Sequence, residues 1–269
     1  MKANKPANTG ERMFNKPGST DYIVSLKRYK FAAKYVRNKT VLDISCGVGY
    51  GTKYLSRFAK KVVGVDVDGD TINYCEKNIK VKNINFQLID SNGILKRELV
   101  DKFDVIVSIE TIEHVKDASL FLKNLKFYLK NKKGIIILTT PNNFEKIHPS
   151  ANIFHTYEFD ILELHELLMR KFKDFNVDLY GQRRTGISRA DKRKHNEVTR
   201  VTILISLLGF IWKLGYKYLG IFRKIEDWKL YKKVGEIQRR GDNDFNIYKI
   251  DNKNNFINPV TAVFVIEKT

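Results

Sequence analysis

At 269 residues and 43% hydrophobic content, the chain can form one large α/β domain with an insertion or a small appendage. Its formal charge is +19, from 49 Lys+Arg against 30 Asp+Glu; this suits an anionic partner such as nucleic acid, anionic lipid or a phosphorylated substrate, and fits a lysine-rich proteome equally well. Two cysteines, Cys46 and Cys75, give no disulfide framework or zinc site, and residues 1–10 lack an apolar signal core, so a cytoplasmic location is expected.

In chain order, residues 1–20 are polar and mostly irregular. Residues 21–36 space Tyr22, Ile23, Leu26, Tyr29, Ala33 and Val36 as one face of a helix. A short β-branched run, 40–44, leads into the glycine-rich turn Ser45-Cys46-Gly47-Val48-Gly49, and helix-compatible sequence follows at 53–58. Residues 61–66 read as a second buried strand, 70–79 as a helix and 84–90 as a third strand. The unbroken apolar run 103–109 predicts a strand covered on both faces, as in a parallel sheet between helix layers. A helix at 117–129, a strand at 134–140, a helix at 159–172, a strand at 175–179 and a last strand at 259–267 complete the series. The alternation predicts a doubly wound, Rossmann-like sheet of seven strands, mostly parallel with an antiparallel last strand and ligands at the strands' C-terminal ends.

The turn at 45–51 carries the sharpest chemical signal. Its glycines let the backbone bend and approach a ligand, and the following helix would point N-terminal amides at it. It has neither the dinucleotide spacing G-x-G-x-x-G nor the lysine of a phosphate-cradling loop. Instead Asp43 precedes it, which repels a pyrophosphate and suits a cationic amino group. Asp66, about 20 residues beyond the turn and with Val67 beside it, can accept both hydroxyls of a ribose. A ligand with an ammonium, a ribose and no phosphate is S-adenosylmethionine (SAM). Here Val41 through Gly49 resembles the first motif of class I SAM-dependent methyltransferases, and Val63-Gly64-Val65-Asp66 their second; Ser45 stands where that family usually has its first glycine. The resemblance implies cofactor contacts from Asp43, Ser45, Cys46, Gly47, Gly49, Asp66, Val67 and Glu110. It also implies an adenine contact from Asp90 with Ser91, at the end of the third strand.

Glu110-Thr111-Ile112-Glu113-His114 follows the fourth strand, at the edge where the site should lie. Glu113 and His114 are candidates for the acceptor side, as is His155 in the later loop 153–159, where a histidine can act as general base on a hydroxyl. The alternatives are a capped helix start at 110–114 and a packing or capping histidine at 155. The site is read without a metal. In the other reading Glu110, Glu113, His114 and His155 form a two-Glu, two-His set, similar to that of small-RNA 3′-terminal 2′-O-methyltransferases, with oxygen and imidazole donors suited to Mg²⁺, Mn²⁺ or Co²⁺.

Four segments follow: an N-terminal segment and helix (1–36), a core (37–182), a basic and partly apolar insertion (183–257), and a final core strand (258–269). Between 181 and 240 lie 16 basic and 5 acidic residues, +11 of the +19. The uncharged run 201–212 is shorter than the ~20 residues that span a bilayer. Lys213, Lys217, Arg223 and Lys224 follow it, among Trp212, Tyr216, Tyr218 and Trp228, so 200–233 could lie on an anionic membrane surface, peripheral at its inner face. A buried helix or dimer contact is the other reading. Gly10-Glu11-Arg12-Met13 with Arg28-Tyr29, the stretch 152–159 and Tyr180-Gly181-Gln182 resemble bacterial methyltransferases of surface-polysaccharide gene clusters. That likeness spans about 9–182 plus the last strand, and implies a hydroxyl of a glycan or of a nucleotide- or lipid-linked sugar as acceptor. The rivals are an RNA 2′-O-methyltransferase and a small-molecule enzyme of the quinone-biosynthesis type.

Overall fold

The computed structural model describes residues 20–89, 97–143, 152–184, 245–250 and 261–268. The chain divides into two units, Met1–Arg183 with Phe245–Thr269, and Arg184–Asp244. Apart from Arg184 the second unit lies outside the described residues, and so does the stretch 200–233 read above as a membrane-docking element.

The first unit is an eight-stranded sheet in the order β3-β2-β1-β4-β5-β8-β6-β7. Its strands are β1 Thr40–Ile44, β2 Lys61–Asp66, β3 Ile84–Leu88, β4 Val105–Ile109, β5 Ile135–Pro141, β6 Phe175–Arg184, β7 Phe245–Lys249 and β8 Thr261–Lys268. β1 pairs in parallel with β2 (Val41 opposite Val62) and with β4 (Val41 opposite Val105), and β4 with β5. β8 runs antiparallel to both β5 and β6. Connections depart in opposite directions from β1 and β4, so the crevice beyond their C-terminal ends is the switch point where such sheets bind ligands.

The helices are α1 Thr20–Ala32, α2 Tyr50–Leu55, α3 Gly69–Asn78, α4 Ala118–Tyr128 and α5 Ile161–Lys171. Alternation along the strands divides the core. Leu42, Ile106, Ile136 and Phe264 face α4 and α5 through Leu122, Leu125, Leu164 and Leu168. Val41, Val62, Val105, Val107, Ile137 and Val263 face α1 and α2 through Tyr29, Ala32 and Leu55. Every residue of β4 is buried, as a two-sided strand requires. Three helices start on aspartates that accept a backbone N–H of the first turn: Asp68 from Thr71, Asp117 from Leu120, and Asp160 from Leu162.

Several boundaries differ from the sequence reading. α1 stops at Ala32 because the chain tightens into i→i−3 turns, with Lys34 N–H on Phe31 O and Tyr35 N–H on Ala32 O. α2 starts three residues early, on Gly49 in left-handed conformation. β6 runs on to Arg184, and the sheet has an eighth strand, β7, within the stretch expected to be all insertion. Lys249 Nζ pairs with Asp178 Oδ1 at 3.2 Å, and Ile250 N–H donates to Leu179 O. No helix among the described residues is long and apolar enough to cross a membrane.

Candidate functional site

Two constellations lie at the C-terminal ends of the parallel strands, one beyond β1, β2 and β3, the other beyond β4 and β5. The first is the glycine turn. Ser45, Gly47 and Gly49 all take positive φ, at 59°, 53° and 75°. Gly49 has no room for a side chain, since a Cβ there would lie 2.7 Å from Ile79 Cδ1 and 3.0 Å from Cys75 Sγ. A Cβ at Gly47 would meet nothing within 4 Å. Gly49 is therefore required by packing, while Gly47 lies beside open space where a ligand can come close.

Asp66 is 7% exposed and holds this turn: Gly47 N–H donates to Oδ2 at 2.9 Å, and Asp68 N–H to Oδ1 at 3.1 Å. Val67 beside it and Leu88 at the end of β3 are 50% and 51% exposed, apolar groups on neighbouring strand ends that suit a flat ring. Leu88 was not singled out from the sequence. Asp90 and Ser91 lie outside the described residues.

Asp43 is completely buried, below the turn rather than at its surface. Thr52 Oγ1 donates to Oδ2 at 2.6 Å and Tyr29 OH to Oδ1 at 3.2 Å. Burial pushes its carboxyl up to about 7; the two hydroxyls oppose that shift, and the Asp66 carboxylate adds to it. Burial and Asp43 together raise the Tyr29 phenol, so it remains a donor. With both oxygens engaged by the protein, Asp43 ties β1 to α1 and α2. Cys46 is also buried, and its thiol and that of Cys75 approach Gly47 O at 3.7 and 3.2 Å.

The second constellation begins where β4 ends. Glu110 sits at φ 52°, turning the chain into a short 3-10 turn, Ile112–His114. Its N–H donates to Thr139 O at 3.1 Å, Thr139 Oγ1 donates to Oε1 at 3.1 Å, and Arg28 Nη1 pairs with Oε2 at 3.3 Å. Glu113 is fully buried. Thr140 Oγ1 donates to its Oε2 at 3.0 Å, while Oε1 has no hydrogen-bond partner among the described residues. Burial, then the Glu110 carboxylate, hold the Glu113 carboxyl well above the usual carboxylate range.

His114 Nδ1 lies 3.0 Å from Phe154 O, a pure acceptor, which places the neutral ring's proton on Nδ1 and its lone pair on Nε2. His155 Nδ1 pairs with Glu158, and Asn152 Nδ2 donates to its Nε2 at 2.8 Å. The two rings meet edge to face, centroids 4.8 Å apart. The loop that carries His155 is pinned over the turn, with Thr156 and Tyr157 N–H both donating to Glu113 O. Residues 40 positions apart in sequence are thus brought together at one place. Glu113, His114 and His155 each offer a ligand atom, and these atoms lie within 4.8 Å of one another. Glu110 is not among them; its carboxylate is taken by Arg28 and Thr139. Arg28, Tyr29, Thr52, Thr139 and Thr140 were not singled out from the sequence as site residues, because each serves through a partner distant along the chain.

Comparisons with known proteins give the family and the fold. A family model described as a methyltransferase domain matches residues 20–174. The chain is 29% identical over 169 residues to a probable S-adenosylmethionine-dependent methyltransferase of Mycolicibacterium smegmatis, covering 60% of this chain and 62% of that protein. It is 32% identical over 136 residues to the ubiquinone biosynthesis O-methyltransferase of Pelagibacter ubique, covering 50% of this chain and 55% of that one. The matched regions thus span less than two thirds of these relatives. In fold, it is similar to a SAM-dependent methyltransferase of Thermotoga maritima described as a possible histamine N-methyltransferase, at a TM-score of 0.57 and 12% identity over 93% of this chain and 92% of that one.

Proposed function

From the premise that this chain belongs to the methyltransferase-domain family, we propose that it binds SAM at the β1–β3 edge and transfers the methyl group to a hydroxyl presented at the β4–β5 edge. What supports this reading is that the open glycine turn, with Asp66 and Gly47, and the His114–His155 pair both follow the C-terminal ends of neighbouring parallel strands. The SAM sulfonium supplies an activated methyl. The protein then has to hold donor and acceptor in line, exclude water and receive one proton. The lone pair on His114 Nε2 suits it to take that proton from an acceptor O–H. Glu113, fully buried, bonds Thr140 through its side chain and the 156–157 backbone through its carbonyl, and so holds the turn that carries His114. The proposed acceptor is a sugar hydroxyl of a glycan or of a nucleotide- or lipid-linked precursor, on the likeness of 9–182 to glycan methyltransferases. The test is transfer of labelled methyl from SAM to fractionated glycans, lipids and RNA. Label in the glycan or lipid-linked sugar fraction upholds this acceptor; label only in RNA or in small phenols moves the assignment to one of those classes.

A second reading rests on the convergence of Glu113, His114 and His155. With Glu113 Oε1 unpartnered, these three would hold a divalent cation of the Mg²⁺ or Mn²⁺ class, which would grip vicinal ribose hydroxyls as Lewis acid. Activity that EDTA abolishes and Mn²⁺ restores would favour it over the metal-free reading.

A further inference from the structure

Arg28 lies on α1, ahead of every motif that marks the cofactor site, yet it is only 6% exposed and its charge is directed at a strand end of that site. Each nitrogen of the guanidinium has its own partner. Nε donates to Gln182 Oε1 at 2.7 Å, Nη2 to Thr261 Oγ1 at 2.7 Å, and Nη1 pairs with Glu110 Oε2 at 3.3 Å. Gln182 and Thr261 are 1% and 2% exposed, and Gln182 Nε2 returns a hydrogen bond to Val24 O on α1. The fork is therefore anchored at two points on β6 and β8, and its third arm reaches the end of β4.

The residue it meets there is in an uncommon conformation. A glutamate at φ 52° is strained, and such strain persists only where surrounding contacts over-determine it. Thr139 and Arg28 supply those contacts. Glu113 and His114 lie three and four positions after Glu110, so the direction of the 110–114 turn depends on how Glu110 is held. Arg28 also supplies the one cation paired with Glu110 among the described residues, three positions from the buried carboxyl of Glu113.

We infer that Arg28 is a positioning residue, which fixes Glu110 in its left-handed turn and so sets the geometry of the methyl-donor and acceptor edges together. This rests on the proposed SAM site and on the family resemblance, which implies Glu110 as a cofactor contact. A lysine cannot replace it, since a single ammonium lacks the planar fork that meets three partners at once.

The test is a double-mutant cycle. SAM is titrated calorimetrically into the wild type, R28M, E110Q and R28M/E110Q, with circular dichroism melts confirming that each folds. If Arg28 acts through Glu110, each single change weakens SAM by on the order of tenfold or more, and the double variant is no weaker than the worse single one. Losses that multiply, or wild-type affinity in R28M, overturn the inference. Should R28M not fold, the cycle is run with R28K, and the same two outcomes decide. T261V removes an anchor of Arg28 but leaves its pairing with Glu110; a loss of SAM affinity equal to that of R28M would make Arg28 only a brace of the fold. A wild type that does not bind SAM sinks the methyl-donor reading instead. Hydrogen exchange of 109–114 in the ligand-free protein then decides: faster exchange in R28M than in T261V upholds the inference, and equal rates overturn it.

Discussion

Asp43→Asn replaces the buried carboxyl beneath the glycine turn by a group of the same shape without its charge. The Asp43 carboxyl is pushed from an ordinary value of 3.8 to about 7 by burial. An acid whose folded pKa is raised contributes stability that is complete below its unfolded pKa and is lost as pH rises through the folded one. In the wild type that loss runs from about pH 4 to about pH 7, and at 1.36 kcal/mol per pKa unit it reaches about 4 kcal/mol as an upper figure. Glu113, also raised by burial, contributes in the same direction, so the wild-type slope alone does not isolate Asp43. The difference between D43N and the wild type does. An asparagine Oδ1 can still accept from Thr52 or Tyr29, and either hydroxyl can rotate to accept from its Nδ2. D43N is therefore expected to gain on the wild type from pH 5 to about pH 7 and to hold that gain at pH 8. On the proposed binding of SAM in the glycine turn, the ionised Asp43 would attract the ligand's ammonium through its field, and the same variant is then expected to lose SAM affinity most at the high-pH end. Urea unfolding at pH 5, 6, 7 and 8 measures the first effect and calorimetry the second. Parallel stability curves for the two proteins across that range would refute the argument that Asp43 is a desolvated acid held near neutrality.

Asp66→Ala removes the acceptor of Gly47 N–H and the proposed ribose ligand, so SAM affinity should fall by roughly 2–4 kcal/mol in calorimetry; unchanged affinity would sink the cofactor assignment. Gly49→Ala places a Cβ 2.7 Å from Ile79 Cδ1 at φ 75°, and should lower stability by about 1–3 kcal/mol in chemical unfolding. His114→Ala and His155→Ala should each reduce turnover on an identified acceptor with nearly unchanged SAM affinity; normal turnover in both would remove the histidines from the chemistry. Replacing 185–244 by a short linker, which keeps β7, should abolish salt-sensitive sedimentation with anionic liposomes if that stretch docks on membranes; a protein that ignores liposomes at low salt rules docking out.

Local sequence was enough for the fold class and for the position of the glycine turn between β1 and α2. Both depend on local patterns: unbroken apolar runs that must be covered on two faces, glycines where backbone φ is positive, and an acid at the end of β2. Ser45 in left-handed conformation also accounts for the position where the related families carry glycine. What the tertiary structure decided is which of the polar residues act together. Asp43, Tyr29 and Thr52 form one buried set, and Arg28, Glu110, Gln182 and Thr261 another, joining residues up to 233 positions apart. Glu110 looked equivalent to Glu113 in the spacing Glu-x-x-Glu-His, but the left-handed turn sends its carboxylate to Arg28, while Glu113 turns inward to Thr140. β7 was hidden for a related reason. Its five residues, Phe245–Lys249, alternate too briefly to mark a strand, and only the open edge of β6 gives them a partner. Local periodicity fixes an element because backbone geometry repeats within it. Pairings across the sheet depend on where separate elements come to rest, and no local pattern in the chain encodes that.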